Sequence, residues 1–412
     1  MLNGLGKIYN GENGVIEKRG FFKNEFLEGE GVIYDSYGKV LYQGAFVKNI
    51  KEGYGIFYNK IAEKYEGNFV NDQKEGKGKE WYIDGSKYEG LFQNNYRHGY
   101  GEVYHTNGDF YKGDWYKDTI FGNGELFSKA DKTNYVGEFA NNEKNGYGVM
   151  TNLSNKEKYE GNWVDSQKSG LGDFFYKNGD VYKGNWSQNQ KNGSGTLTHK
   201  KDLTVYKGNF IDDQISGKGK LTYPLKDICY IGEFKKEKPN GFGRIYELST
   251  RRKLFVGHFK DEVKHGQGIE YYANGDYYEG CFCNGSREGS GKLFDNSDFK
   301  MYDGQWKNGF KDGIGFEHLK GSNGHWYHGS FFKGIKNGKG EEHFSNGDKY
   351  EGEFKNGKKH GNGVFVYREQ NGVIYKGIWK NGCMEGNGVF EDETGKVVKK
   401  GCYKNGMFCL KV

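Results

Sequence analysis

Residues 65–81 read YEGNFVNDQKEGKGKEW. Tyr65, Gly67 and Phe69 alternate with Glu66 and Asn68, the period of two that gives a strand one ring-bearing face and one polar face. Gly76 and Gly78 then share one face of a second strand, with Lys77 and Lys79 on the other. Glycine weakens a strand interior, so its presence there signals that another group must approach the backbone closely. The same phrase returns at Tyr88 (YEGLFQNNYRHGYGEVY), Tyr159 (YEGNWVDSQKSGLGDFF) and Tyr350 (YEGEFKNGKKHGNGVFV).

Taking the glycine of each aromatic-x-Gly-x-aromatic phrase as a marker places repeats at Gly20, Gly44, Gly67, Gly90, Gly113, Gly137, Gly161, Gly184, Gly208, Gly232, Gly257, Gly280, Gly304, Gly329, Gly352 and Gly377, spaced by 23, 24 or 25 residues. All sixteen have a glycine nine residues after the marker, another two residues later, and Phe or Trp two residues after the marker. The segment between glycines therefore has fixed length, and insertions fall in the connectors. Partial repeats at residues 1–9 and 398–409 flank the sixteen, so residues 1–409 read as one continuous array with no separate catalytic domain.

A helical reading fails, because glycine costs about 1 kcal/mol per residue inside a helix and no sustained apolar period of three to four exists. Connectors such as Asn107-Gly108-Asp109, Asn178-Gly179-Asp180, Asn274-Gly275-Asp276 and Asn346-Gly347-Asp348 carry the Asn-Gly signal of tight hairpin turns. The expected fold is all-β: an elongated, single-layer, twisted antiparallel sheet of tandem hairpins. At about 4.8 Å per strand, each hairpin adds about 10 Å and sixteen extend on the order of 150 Å, each touching only its neighbours. Rings can lie down over backbone that lacks a Cβ, and the expected visitor is the ring of the next repeat.

Composition agrees. The 412 residues include 69 Gly, 33 Tyr, 30 Phe and 7 Trp but only 2 Pro. This is too aromatic for a disordered or collagen-like chain and too poor in aliphatics for a thick core. Residues 1–200 carry 26 Lys and Arg against 27 Asp and Glu, and residues 201–412 carry 35 against 28. Basic runs are short (Arg251-Arg252-Lys253, Lys358-Lys359, Lys399-Lys400), unlike the dense stripe of a nucleic-acid binder. The opening MLNGLGKIYN lacks a signal-peptide pattern, and no stretch approaches the roughly 18 apolar residues of a span. The six cysteines are irregularly placed, unlike a disulfide framework. These features lead to the expectation of a soluble protein of the cytosol or a compartment continuous with it.

No motif carries catalysis. The Gly-x-Gly pairs occur in every repeat and open no phosphate-binding signature between strand and helix. Cys281-x-Cys283 has no second pair to complete a tetrahedral site, so no metal or cofactor is expected. The histidines that precede a glycine read as turn residues. Thirteen residues after the marker, twelve repeats carry an apolar residue, whereas four carry Glu80, Glu270, Glu317 or Glu342. Either a local shift brings Trp81 and Tyr271 into the apolar place, or the glutamates face the groove and meet basic residues of a partner.

These phrases resemble the MORN repeat (membrane occupation and recognition nexus), whose pattern is close to Tyr-x-Gly-x-Phe/Trp followed by a Gly-x-Gly-x-Leu/Phe strand. Its Lys/Arg-His-Gly element appears at His98, His265 and His360, and the likeness covers residues 1–409. The resemblance implies a non-enzymatic scaffold, since the chain has no room for the kinase or methyltransferase domain that some members carry. All-repeat members include radial spoke head and other axonemal proteins, basal-complex proteins and junctional proteins, which implies a place in the cytoplasm or cytoskeleton, in the axoneme of a cilium or flagellum.

A shallow ring-lined face is a large apolar surface for a monomer to leave open. It is expected to berth an elongated partner protein on Tyr65, Phe69, Tyr88, Phe92, Tyr111, Trp115, Tyr159, Trp163, Tyr182, Trp186, Tyr302, Trp306, Tyr350, Phe354 and Trp379, with Glu317 and Glu342. Open strands near Ile8 and Tyr403 are expected to pair with other chains, homodimer or end-to-end contacts included. The alternative is a membrane-associated tether, using the more basic C-terminal half against anionic lipid.

Overall fold

The computed structural model describes residues 1–59, 62–319, 321 and 324–409. Among them every regular element is a strand, apart from single 3-10 turns at Pro224–Lys226 and Arg368–Gln370. The chain divides into two compact units, Met1–Lys201 with Phe210–Asp213 and Asp202–Asn209 with Gln214–Val412. In the first, strands run from Gly4–Tyr9 to Gln190–Thr198; in the second, from Gln214–Tyr223 to Met407–Phe408. Each is an antiparallel sheet in which a strand pairs with the next one along the chain. The all-β expectation holds.

The register places the marker glycine opposite the last glycine of the same repeat, and that glycine opposite the next marker. Gly44, Gly55, Gly67, Gly78, Gly90 and Gly101 thus form one row across the first unit. Immediately after each marker the ladder slips: Gly67 faces Gly78, but Phe69 faces Lys74. Asn68 is left without an opposite number on that strand, which is a β-bulge. The two glycines of each pair therefore have separate duties. Gly76, at φ +70°, supplies the left-handed conformation of the bulge,. Gly78 has ordinary strand geometry, but a Cβ there would lie 2.6 Å from the Tyr65 ring.

The visitor over the glycines is the repeat's own tyrosine, which corrects the expectation of a ring from the next repeat. Tyr65 folds back across Gly67 and Gly78. Its hydroxyl donates to the carbonyl of Asn68, the bulged residue, at 3.1 Å. Tyr88, Tyr111, Tyr159 and Tyr182 do the same to Leu91, Asp114, Asn162 and Asn185 at 2.9–3.0 Å. The first repeat has Lys18 in the tyrosine's place, and there Leu27 covers Gly20 and Gly31 instead.

The next repeat's Phe or Trp then closes over the tyrosine. In the first unit, consecutive rings from Tyr42 to Phe210 meet edge to face, with centroids 5.0–5.5 Å apart and planes 80–89° apart. This geometry sets a positive ring edge on a negative face, adding about 0.5–1.5 kcal/mol per pair to the burial itself. Where the residue is Trp, its indole N–H finds a buried acceptor, as Trp186 does in the Gly172 carbonyl at 3.0 Å. One layer of strands thus builds its core from rings laid flat on its own backbone.

The tight turns lie elsewhere than expected. Two-residue loops with both central residues at positive φ, the type I′ pattern, sit inside each hairpin, as at Asn71-Asp72 (φ +50° and +65°) and Asn94-Asn95 (φ +50° and +74°). The Asn-Gly-Asp connectors are longer. His105 N–H reaches the Asp109 carbonyl at 2.9 Å and Gly108 N–H reaches that of His105 at 3.0 Å. Asn107 and Asp109 also bond each other through side chain and backbone. His98, His265 and His360 stand within strands, each just before a bulge glycine, and not in turns.

Candidate interaction surface

The predicted groove residues are brought together, but as core. Tyr65, Tyr88, Tyr182, Tyr302 and Tyr350 are 0% exposed, and Tyr111 and Tyr159 are 1%. Phe69, Phe92, Trp115, Trp163, Trp186, Trp306, Phe354 and Trp379 lie between 2% and 5%. Rings this deeply buried cannot anchor a partner directly, which corrects the picture of an open aromatic berth. Burial pushes their hydroxyls up, those of Tyr206, Tyr230 and Tyr375 to about 12.

What covers them escaped the sequence reading. Seven residues after the marker, eleven repeats carry Lys or Arg, and the others carry Leu27, Ile120, Ile215, Pro239 and Met384. That position faces the ring two after the marker, so its aliphatic stem lies along the ladder. Lys74 Nζ is 4.8 Å from the Tyr65 ring centre and 5.5 Å from Phe92. The Arg97 guanidinium is 4.1 Å from Trp115. A cation in such a place gains about 0.5–2 kcal/mol from the ring faces while its stem screens them from water. The fixed choice between cation and aliphatic at this offset was the signal available.

The four glutamates belong to the same row. Glu80 faces Tyr65 and Glu317 faces Tyr302, and Trp81 faces Lys64, so no shift brings Trp81 into the place opposite the tyrosine. Each meets a lysine of its own repeat: Lys74–Glu80, Lys264–Glu270, Lys311–Glu317 and Lys336–Glu342. Glu342 also accepts from His325 at 3.2 Å. Trp81 points to the other face, where Lys64 Nζ is 4.8 Å from its ring. The glutamates are thus already matched within the chain, which removes the reason to reserve them for a partner's basic residues.

The opposite face is open. There the backbone of Gly67, Gly78 and Gly90 floors a trough whose walls include Tyr54, Leu91, Tyr100, Lys79 and Glu89. Tyr54 is 55% exposed, Tyr100 53% and Leu171 63%. Beside them runs a ladder of surface charges, with Lys79–Glu89 at 3.0 Å and Lys87–Glu89 at 2.8 Å, pairs that add little stability in water. The second unit has a similar trough floored by Gly329, Gly340 and Gly352, with Ile314 on its wall. The apolar side chains of these troughs sit between the paired glycines, as Tyr54, Tyr100 and Ile314 do, or just after the marker, as Leu91 does, and are not the predicted ring-face residues.

At the edges, the strand Gly4–Tyr9 pairs with Ile16–Lys23, and among the described residues nothing pairs with its outer side; Ile8 lies there. Tyr403 is no open edge. It is 3% exposed and faces Phe408 of a further short strand, its ring 5.3 Å from that of Phe408. Among the described residues no three His, Cys, Asp or Glu side chains converge as metal ligands, and no helix is long and apolar enough to cross a membrane.

A sheet of hairpins, closed in every full repeat but the first by a ring on its own glycines, defines a class of β-repeat protein. The MORN repeat matches fourteen segments from 42–60 to 375–397, together more than half of the chain, including 65–87, 88–110, 159–181 and 350–371. The chain belongs to the MORN-repeat family. It is also similar to alsin: 35% identical to that of Homo sapiens and 37% to that of Mus musculus, each over 94 residues. These matches cover 21% of this chain and 6% of alsin, so the chain spans a small fraction of the curated relatives it matches.

Proposed function

We propose that this chain is a non-enzymatic structural scaffold that binds partner proteins, and that it does so in a ciliary assembly such as the radial spoke head. The supporting observation is the division of labour between the two faces. The invariant aromatics are spent on the fold, whereas Tyr54, Leu91 and Tyr100 are exposed along a glycine-floored trough in fixed register. Amphipathic rings held on a rigid sheet suit recognition of a protein segment. The ciliary placement rests on the family resemblance alone.

Affinity purification of the tagged chain from ciliated cells at about 0.15 M salt, with mass spectrometry and lipid extraction on one eluate, tests both levels. The expected result is stoichiometric axonemal protein, lost from Tyr54→Ser/Leu91→Ser/Tyr100→Ser. Those side chains are solvent-exposed, so the fold survives their replacement. An eluate with anionic lipid and no protein partner would overturn the scaffold in favour of a tether. A stoichiometric partner from another assembly would overturn only the ciliary placement.

A further inference from the structure

The cations over the ring ladder follow a matching rule. Lys51, Arg97 and Lys191 are met by a carboxylate from the turn of the following repeat: Asp72, Asp118 and Asp213. The four lysines described above are met by a glutamate of their own repeat. No cation has both solutions. Among the described residues, Lys144, Lys168, Arg287 and Lys359 have neither, and of these four only Lys144 and Lys168 stand in adjacent repeats. The turn position holds Ser166 and Asn189, which accept only the backbone N–H of Lys144 and Lys168, and the glutamate position holds Met150 and Phe174.

Both ammonium groups are half-buried among rings. Lys144 is 5.5 Å from Tyr135 and 5.2 Å from Trp163; Lys168 is 4.5 Å from Phe174 and 4.7 Å from Trp186. Ring faces repay part of a cation's lost hydration, but a half-buried charge without a counter-ion remains costly. Burial accordingly holds both below the usual lysine range, against the weaker pull of more distant carboxylates. They stand in adjacent repeats on one face, two strands and so about 10 Å apart.

We propose that the ring face at Lys144 and Lys168 docks an acidic segment of a partner protein, whose two carboxylates supply the counter-ions this chain withholds there. An α-helix with glutamates seven residues apart has the matching spacing of about 10.5 Å. This goes beyond the trough reading, since it concerns the other face.

The chain's own two solutions provide the test. Asn189→Asp recreates the Asp72 arrangement for Lys168, and Met150→Glu recreates the Glu80 arrangement for Lys144. The probe is a fluorescein-labelled alanine-rich helical peptide with two glutamates seven apart, and its glutamine counterpart, titrated by anisotropy against the full chain. The expected result is micromolar binding of the glutamate peptide, at least tenfold weaker for the glutamine peptide and for the double variant, and severalfold weaker for Asn189→Asp alone. Asn189→Asp should raise Tm, so its loss of binding is not unfolding.

Absent binding, or equal binding to wild type and Asn189→Asp, overturns the proposal. So does capture of phosphatidylserine vesicles in preference to the peptide with the same dependence on Asn189. Each of these leaves the trough-dependent partners of the affinity purification untouched, so the two readings fail separately.

Discussion

Replacing Gly78 by alanine puts the fold to its most direct trial. The new Cβ would lie 2.6 Å from Cε2 and Oη of Tyr65 and 2.8 Å from Cζ, where ordinary carbon contacts are about 3.5–4.0 Å. The ring must move by about 1 Å, yet Phe69 and Phe92 hold it at 5.2 and 5.0 Å and its hydroxyl is bound to Asn68. Overpacking costs about 1–3 kcal/mol and the lost hydrogen bond about 1, giving about 2–4 kcal/mol in all. Gly76→Ala meets nothing closer than 3.8 Å, so its cost is the left-handed backbone alone, about 1–2 kcal/mol. In a Tyr65→Ala background the Gly78→Ala cost should fall to about 0.5 kcal/mol or less, a coupling of about 2–3 kcal/mol. Repeat arrays open locally, so hydrogen exchange on peptides spanning residues 62–104 is the suitable assay. Equal costs of Gly78→Ala with and without Tyr65, or a smaller cost than that of Gly76→Ala, would refute the ring-on-glycine account.

High pH should unfold the chain steeply. The folded-state values of the ladder tyrosines lie above the unfolded value near 10, so their contribution is intact below pH 10. It is lost between about 10 and 12 at about 1.4 kcal/mol per pH unit for each tyrosine; tyrosinate absorbance should rise together with loss of the β circular-dichroism signal, and a separate earlier titration would contradict this. Glu80→Leu should cost about 1–3 kcal/mol by leaving Lys74 without its carboxylate, while Lys74→Ile/Glu80→Leu should recover most of it, because Ile120 and Leu126 fill those places in another repeat; urea denaturation of the three chains checks both. Trp186→Phe should cost about 1 kcal/mol for the lost bond to Gly172, readable as faster exchange around residues 167–198, with the fold retained.

The hairpin array was legible because its signals are local. A period of two, fixed glycine offsets and invariant Phe or Trp all follow from strand geometry, which any one repeat displays. The match between Tyr65 and its own Gly67 and Gly78 was not legible, because the bulge at Asn68 changes which residues face each other after the marker. That slip also hid the cation row. Lys74 comes opposite Phe69 only once the ladder has shifted, so alternation alone gives no reason to pair them. Glu80 and Glu317 were misread for the same reason, since their partner lysines were not yet on the ring face. The exposed rings of Tyr54 and Tyr100 went unremarked because burial of the more regular aromatics could not be weighed without coordinates.

Because each tyrosine closes on glycines two and thirteen residues downstream, and its lid ring arrives with the following repeat, a complete local core needs only the stretch from Tyr65 to Phe92. A chain emerging from the ribosome can therefore finish one repeat before the next is made. Growth by addition at one end keeps contact order low despite an all-β fold, and the last hairpin made is always the template for the next.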